Sequence, residues 1–144
     1  MALWKRERSD SEMNSDSNHL SLEAQEDDVW GAPPPDATTL MQRVHWLRKQ
    51  PVDSYQPEDL RVLISQGVGL SILMPVVLGR LRKDPLLEGD FYPGDVLSAV
   101  LRVSSTYWED NPIQRAELEA IISGIDSQNL AAAIETFRKT NLTL

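Results

Sequence analysis

The sequence predicts an all-α protein, a compact bundle of five to seven helices with a disordered N-terminal arm. Apolar residues recur at helical spacing in most segments after residue 38, and prolines, glycines and polar capping residues separate these segments. The apolar run 72–78 is a poor strand candidate, because it contains Pro75 and has no partner strand. A chain of 144 residues can bury its own core. We therefore expect one helical domain, residues 38–144, after an acidic arm, residues 1–37.

The arm is rich in Ser, Asp, Glu and Asn, and it has too few apolar residues to offset the entropy lost on ordering. We therefore expect most of residues 1–37 to be disordered. One part of the arm is expected to dock on the domain through four apolar side chains, Leu20, Leu22, Val29 and Trp30. Two natural starts are open, Met1 and Met13, and with the second start residues 1–12 are an upstream extension.

Three helices are predicted in the first half of the domain, over residues 38–48, 57–66 and 70–83. Thr38 or Thr39 can cap the first helix, and Pro57 suits the first turn of the second. The third helix is apolar nearly all round, which is typical of a central, buried helix. The inner faces of the first two helices are predicted to be Leu40, Val44 and Leu47, and Leu60, Leu63 and Ile64.

Four more helical segments are predicted, over residues 93–103, 104–109 and 111–123, and from 126 or 127 to an end that frays over 140–144. Pro93 suits the first turn of the first segment, where its missing N–H is not needed. Asp95 then lies near the positive end of the helix dipole. Asn111 is the expected cap of the 111–123 helix, whose predicted inner face is Ile113, Leu118, Ile121 and Ile122.

The formal net charge of −8 is unevenly distributed. Residues 1–39 hold nine acids and three bases, and residues 84–110 hold six acids and a single base, Arg102. Acidic segments repel phosphate backbones and attract cationic partners, so we expect a basic protein partner and no direct nucleic-acid binding. No apolar run reaches the ~18 residues that cross a bilayer, and the N-terminus lacks the apolar core of a secretory signal. A cytoplasmic protein without membrane contact is therefore expected.

No catalytic residue, metal site or cofactor is predicted. The chain has no cysteine, and its two histidines, His19 and His45, lack partners at metal-ligand spacing. Residues 88–95, here called the acidic loop, contain Glu88, Asp90 and Asp95. An acid–base pair among these three carboxylates is the remaining enzymatic alternative, for which the sequence indicates no reaction.

The candidate site is a partner-binding surface of acids and aromatic side chains in and near the acidic loop, since aromatic residues beside acids suit an interface hot spot. We assign Phe91 and Trp108 to the core and expect Tyr92 to be exposed. The alternative is that these acids only solvate a loop and cap a helix. The predicted contact residues are Asp84, Glu88, Asp90, Tyr92, Asp95, Tyr107, Glu109 and Asp110.

Several segments also resemble the immunity proteins of bacterial contact-dependent growth inhibition systems. They are HWLRKQP at 45–51, EDLR at 58–61, GVGL at 67–70, Pro75 and EGDFYPGDVL at 88–97. The last segment is the most specific, and the resemblance covers about residues 30–108. The chain departs from the family pattern before Leu20 and after Asp126.

The resemblance implies a small cytoplasmic protein that binds and neutralises the toxic C-terminal domain of a cognate surface-delivered toxin. Many such toxin domains are nucleases, whose basic grooves an acidic protein can fill or block. The toxin-facing residues of such families often vary while the scaffold stays, so the resemblance leaves open that the acidic loop is scaffold. The alternative function is a helical adaptor that binds an unrelated basic cytoplasmic protein.

Overall fold

A computed structural model of the chain describes residues 17–126 and 128–141. Three of the predictions concern residues outside these ranges. They are the start at Met13, Ser127 as a helix cap and the fraying of residues 142–144. The described chain divides between Tyr55 and Gln56 into two compact units. Its eight α-helices are α1 (Leu22–Glu26), α2 (Thr39–Arg48), α3 (Pro57–Ser65), α4 (Leu70–Lys83), α5 (Asp95–Leu101), α6 (Ser105–Asp110), α7 (Pro112–Ile122) and α8 (Gln128–Asn141).

The N-terminal unit packs the short helix α1 against α2. The Ser21 side chain caps α1 by accepting a hydrogen bond from Ala24 N, and Asp27 ends the helix in the left-handed conformation. The segment before α1 runs antiparallel to the chain after α2, with Val52 N donating to Leu20 O at 3.1 Å. The buried apolar side chains of this unit are Leu22, Val44, Leu47, Val52 and Tyr55.

The second unit contains the helices α3 to α8. Helix α3 packs on α4 and more extensively on α5, while α7 packs on α4 and α6. Helix α8 contacts α5 and α6, so it closes the core of this unit with Leu130, Ile134 and Phe137. Pro75 lies inside α4 without ending it, and the inner side of α4 consists of Leu73, Met74, Val77, Leu78 and Leu81.

The all-α class is confirmed: the described residues form helices and two isolated β-bridges, and no strand. The seven helices after residue 38 match the seven predicted segments, and α1 lies in the predicted arm. Of the arm's apolar residues expected to dock, Leu22 is buried, whereas Leu20, Val29 and Trp30 keep 39% or more of their surface exposed. The domain boundary after residue 37 stays a prediction.

Three local predictions are wrong. Leu40 and Ile113, expected on inner faces, are 41% and 77% exposed, because each lies in the first turn of its helix, beyond the packed part of the inner face. The helix expected to start at Pro93 starts at Asp95, since Gly94 takes a left-handed conformation with φ of 93° that interrupts helical geometry before it. Asn111 precedes α7 without a side-chain cap, because its amide donates to Tyr107 O instead.

Candidate functional site

The acidic loop closes on itself between α4 and α5. Glu88 and Pro93 form an isolated antiparallel bridge, and Gly94 N donates to Leu86 O at 3.1 Å. The left-handed Gly94 brings the backbone against α8, where an added Cβ would lie 2.8 Å from Leu130 Cδ1. Proline and glycine at 93 and 94 therefore set a tight turn that ends the loop directly at the first residue of α5.

The side chain of Asp95, the acid that ends this turn, points inward. It is 4% exposed, and its two carboxylate oxygens accept hydrogen bonds from Gly89 N at 2.6 Å and Phe91 N at 3.0 Å. Its position at the start of α5 also suits the positive end of the helix dipole. In this conformation the carboxylate of Asp95 is engaged inside the loop, and its contact with a partner stays a prediction. Its role is to hold the acidic loop in shape.

A second buried carboxylate, that of Glu58 in the first turn of α3, holds the same loop from the other side. Glu58 Oε1 accepts from Asp90 N at 2.9 Å and from Arg61 Nε at 2.7 Å, and Oε2 accepts from Arg61 Nη2. The two-point pairing with Arg61 is the strong geometry for a guanidinium and a carboxylate. Three consecutive loop N–H groups, from residues 89 to 91, thus donate to two buried carboxylates.

Arg61 is the positively charged side chain beside these carboxylates. The pKa of Arg61 is raised above its usual value, chiefly by its hydrogen bond to Glu58, while burial opposes the shift. The negative charges of Glu58, Asp95 and Asp90 contribute further to the rise. The guanidinium also lies under the Phe91 ring, with 4.6 Å between its carbon and the ring centre.

Gly89 is required by this cluster. A Cβ added at Gly89 would lie 2.5 Å from Glu58 Oε1 and 3.0 Å from the nearer oxygen of Asp95. Both oxygens are fixed by hydrogen bonds, so they cannot move aside without losing a donor. The glycine at position 89 of the sequence therefore reflects the packing of buried carboxylates against the loop backbone.

The outer side of the acidic loop has a different chemistry. Glu88 and Asp90 are exposed, and Phe91 is 67% exposed, so its assignment to the core is wrong. Its ring stacks on Arg61 rather than entering the core, which explains how a large aromatic side chain is held at the surface. Tyr92, expected to be exposed, is half-buried. Acids and an aromatic ring therefore share the outer side of one ordered loop.

The other predicted contact residues lie at helix ends. Asp84 is exposed after α4, and Glu109 and Asp110 are exposed at the end of α6. Tyr107 is half-buried and donates its hydroxyl hydrogen to Gln114 Oε1 at 2.5 Å, and burial raises its pKa. Trp108 is fully buried, as predicted, and its ring meets the edge of Phe137.

The sequence analysis did not predict that Leu86 and Ile113, beside these acids, are exposed. In the described part of the second unit, the large apolar side chains that are exposed are Leu86, Phe91 and Ile113. All three fall within or next to the acidic stretch 84–110. The available signal for Ile113 was its neighbour Pro112, which places it in a first helical turn where side chains often face solvent.

The described residues contain no group of three His, Cys, Asp or Glu arranged to hold a metal ion. Over the same residues, none of the helices is both long and apolar enough to cross a membrane.

Comparison with known families identifies the class. Residues 24–118 match the family of CDI immunity proteins, where CDI is contact-dependent growth inhibition. The match covers well over half of the chain, so the chain belongs to this family. The resemblance inferred over residues 30–108 is confirmed and extends further at both ends. Neither the curated proteins nor the solved structures include a match to the chain.

Proposed function

We propose that this protein binds the toxic C-terminal domain of a cognate contact-dependent growth inhibition toxin and neutralises it. The family match over residues 24–118 is the observation that supports this proposal most directly. We propose further that it acts in the cytoplasm, where a delivered toxin domain meets its target. A nuclease is the toxin class that best suits an acidic inhibitor, because a protein that holds phosphates needs a basic groove.

The proposed contact surface combines the outer side of the acidic loop with the acidic ends of α4 and α6. Its charges are those of the exposed carboxylates, and its apolar contacts come from Leu86, Phe91 and Ile113. Tyr92 and Tyr107 are half-buried and contribute at its margin. Asp95 positions the loop from within. The exposed acids of this surface are Asp84, Glu88, Asp90, Glu109 and Asp110.

This surface suits fast and durable binding. Exposed acids raise the association rate with a basic partner, while a large apolar side chain at the centre slows dissociation. Protection against repeated delivery requires a dissociation constant of ~1 nM or lower, about −12 kcal/mol. An interface of roughly 1,600 Å² is sufficient for such affinity when its central contacts are well packed. Phe91, held over Arg61 before any partner arrives, is the proposed central contact.

The first experiment tests the function itself. The cognate toxin domain is co-expressed with this protein, and growth is compared with that of cells that carry an unmatched toxin domain of the same family. We expect protection against the matched domain only, and a stable 1:1 complex of the purified proteins. Full toxicity in the presence of the folded protein, or equal protection against unmatched domains, contradicts the proposal.

The second experiment tests the surface by its charge. The triple variant Glu88→Lys, Glu109→Lys, Asp110→Lys should slow association by about tenfold or more at low salt and much less at high salt. A matched control, Asp53→Lys, Asp126→Lys, Glu135→Lys, makes the same change in net charge at other exposed acids. Association rates measured by stopped flow should separate the two variants. Equal rates for both would remove this surface from the interface.

A further inference from the structure

The N-terminal unit exposes a second apolar surface that the acidic loop does not explain. Val29 and Trp46 are 73% and 59% exposed, and Trp30 is 39% exposed. Residues 27–31, here called the Trp30 loop, follow α1 directly and carry two of these side chains. Tryptophan is the side chain most enriched at the centres of protein interfaces. An exposed tryptophan held in one position therefore needs an explanation.

Trp30 is held by contacts on three sides. Its Nε1 donates to Asp28 Oδ2 at 3.2 Å, and the Arg48 guanidinium lies 4.0 Å from its ring centre. The His45 ring meets it edge to face at 5.1 Å, while His45 Nδ1 lies 3.3 Å from Gly31 O. Aromatic and cation–π contacts of this kind fix a ring without covering it. The ring is thus ordered before binding.

The backbone of the Trp30 loop is fixed as well. Asp27 takes a left-handed conformation with φ of 52°, and Asp28 N donates back to Glu23 O at 3.1 Å. Arg48, 1% exposed, donates to Asp28 O at 2.7 Å and to Glu26 Oε1 at 3.1 Å. A loop held in its bound shape loses less conformational entropy on association, which raises affinity.

The segment that carries this loop is acidic. Residues 17–37 carry five acids and neither Lys nor Arg. Asp27 and Asp28 are exposed beside Val29 and Trp30, and the Asp28 side chain keeps 63% of its surface exposed although it accepts from Trp30. An apolar centre with an acidic rim is complementary to apolar groups flanked by Lys or Arg side chains.

We infer that the Trp30 loop is a second contact surface for the toxin domain, and that it takes a basic segment with apolar side chains between its Lys or Arg residues. Val29 and Trp30 bury the apolar groups, and the carboxylates of Asp27 and Asp28 pair with the cations. This inference rests on the proposed function. The family match starts at residue 24, so it includes the whole Trp30 loop.

The test uses a variant that removes charge and apolar surface while keeping the fold. Asp27→Asn tolerates the left-handed backbone, Asp28→Asn keeps an oxygen for Trp30 Nε1, and Val29→Ser changes an exposed side chain. The control, Asp53→Asn with Asp126→Asn, removes the same charge from two other exposed acids. The probe is the purified, catalytically inactivated cognate toxin domain, and the readout is the dissociation constant by calorimetry.

We expect the triple variant to bind about tenfold or more weakly, and the control to bind within about twofold of the unchanged protein. A second variant, Trp30→Ala, should weaken binding further while its far-UV circular dichroism stays unchanged. A triple variant that binds as tightly as the control overturns the inference and leaves the proposed function intact. Absence of any complex with the unchanged protein overturns both. A variant that alters self-association measured by sedimentation, without altering toxin affinity, assigns the surface to a second copy and also overturns the inference.

Discussion

The acidic loop and the Trp30 loop are both held by buried charged side chains, but the charges have opposite signs. Each turns the chain next to a helix end around a buried charge. In the acidic loop all four carboxylate oxygens of Glu58 and Asp95 accept a hydrogen bond. Beside the Trp30 loop the buried charge is Arg48, whose Nη2 makes the hydrogen bonds, while Nε and Nη1 are buried without a hydrogen-bond partner among residues 17–126 and 128–141.

This difference distinguishes a loop whose backbone path is fixed from a loop in which one exposed side chain is fixed. The buried carboxylates bind the loop backbone itself, so they fix the path of residues 89–91 whatever the outer side chains are. Arg48 binds one backbone carbonyl and stacks on Trp30, so it fixes one side chain and leaves the rest of that loop to its own turn. The acidic loop should therefore be the more costly of the two to disturb.

The largest effect is expected for Asp95→Ala. The change leaves the partly buried N–H groups of Gly89 and Phe91 without their acceptors, at about 1–3 kcal/mol each. We expect the free energy of unfolding to fall by about 3 kcal/mol, as measured by urea denaturation. The control Asp84→Ala removes an exposed acid and should change stability by less than about 0.5 kcal/mol. Similar losses for both variants would show that the inward carboxylate has no special role.

Gly89→Ala should have the next largest effect. The added methyl group would lie 2.5 Å from Glu58 Oε1, so either the carboxylate or the loop must shift. Overpacking of this kind costs about 2 kcal/mol. The control is Gly67→Asn, at a left-handed position with open space around it, where asparagine is tolerated. A Gly89→Ala protein as stable as the original would contradict the close packing of loop and carboxylates.

Arg48→Met tests the other half of the comparison. It removes two buried nitrogens, Nε and Nη1, whose N–H groups have no acceptor within the described part of the chain, and its former partner Glu26 is exposed enough to be hydrated. The lost bond to Asp28 O and the lost stacking on Trp30 should reduce stability by only about 1 kcal/mol. Lys49→Met, on an exposed neighbour, is the control for helix propensity. A loss larger than that of Asp95→Ala would reverse the proposed ranking of the two loops.

The smallest expected effect is a change in how stability depends on pH. Burial raises the pKa of Tyr107 in the folded protein above its usual value of 10.0. The stability from the neutral hydroxyl is fully present below the unfolded-state pKa, and it is lost as pH rises through the folded-state pKa. Stability should therefore fall more steeply above pH ~10 for the original protein than for Tyr107→Phe, which cannot ionise. Parallel pH curves for the two proteins, measured by denaturation, would contradict this.

The fold was largely predictable because local signals agree with the final structure. Pro57 and the glycines at 67 and 69 define α3 and the start of α4, and both helices lie where the sequence predicts them. The assignment of Phe91 failed because a distant contact overrides the local pattern. Phe91 was assigned to the core for its hydrophobicity, yet Arg61, thirty positions earlier, holds it at the surface.

The site was only partly predictable for a related reason. The sequence shows how many carboxylates the acidic loop has, but it does not show which of them turn inward. That choice depends on the N–H groups of residues 89–91 and on Glu58, which lies on a different helix. Trp30 could be predicted as ordered from its occurrence in a polar segment. Its exposure, by contrast, depends on Arg48 and His45 lying on α2 at the right places.

The contact between Gly94 and Leu130 has a consequence for building chimeras between relatives. Helix α8 lies beyond the matched residues 24–118, yet its Leu130 occupies the space that a side chain at 94 would need. A recombinant that takes the turn at 93–94 from another family member, but keeps this C-terminal segment, inherits a steric constraint from a helix outside the matched residues. Exchange of specificity between such proteins should therefore succeed only when the turn and the last helix travel together.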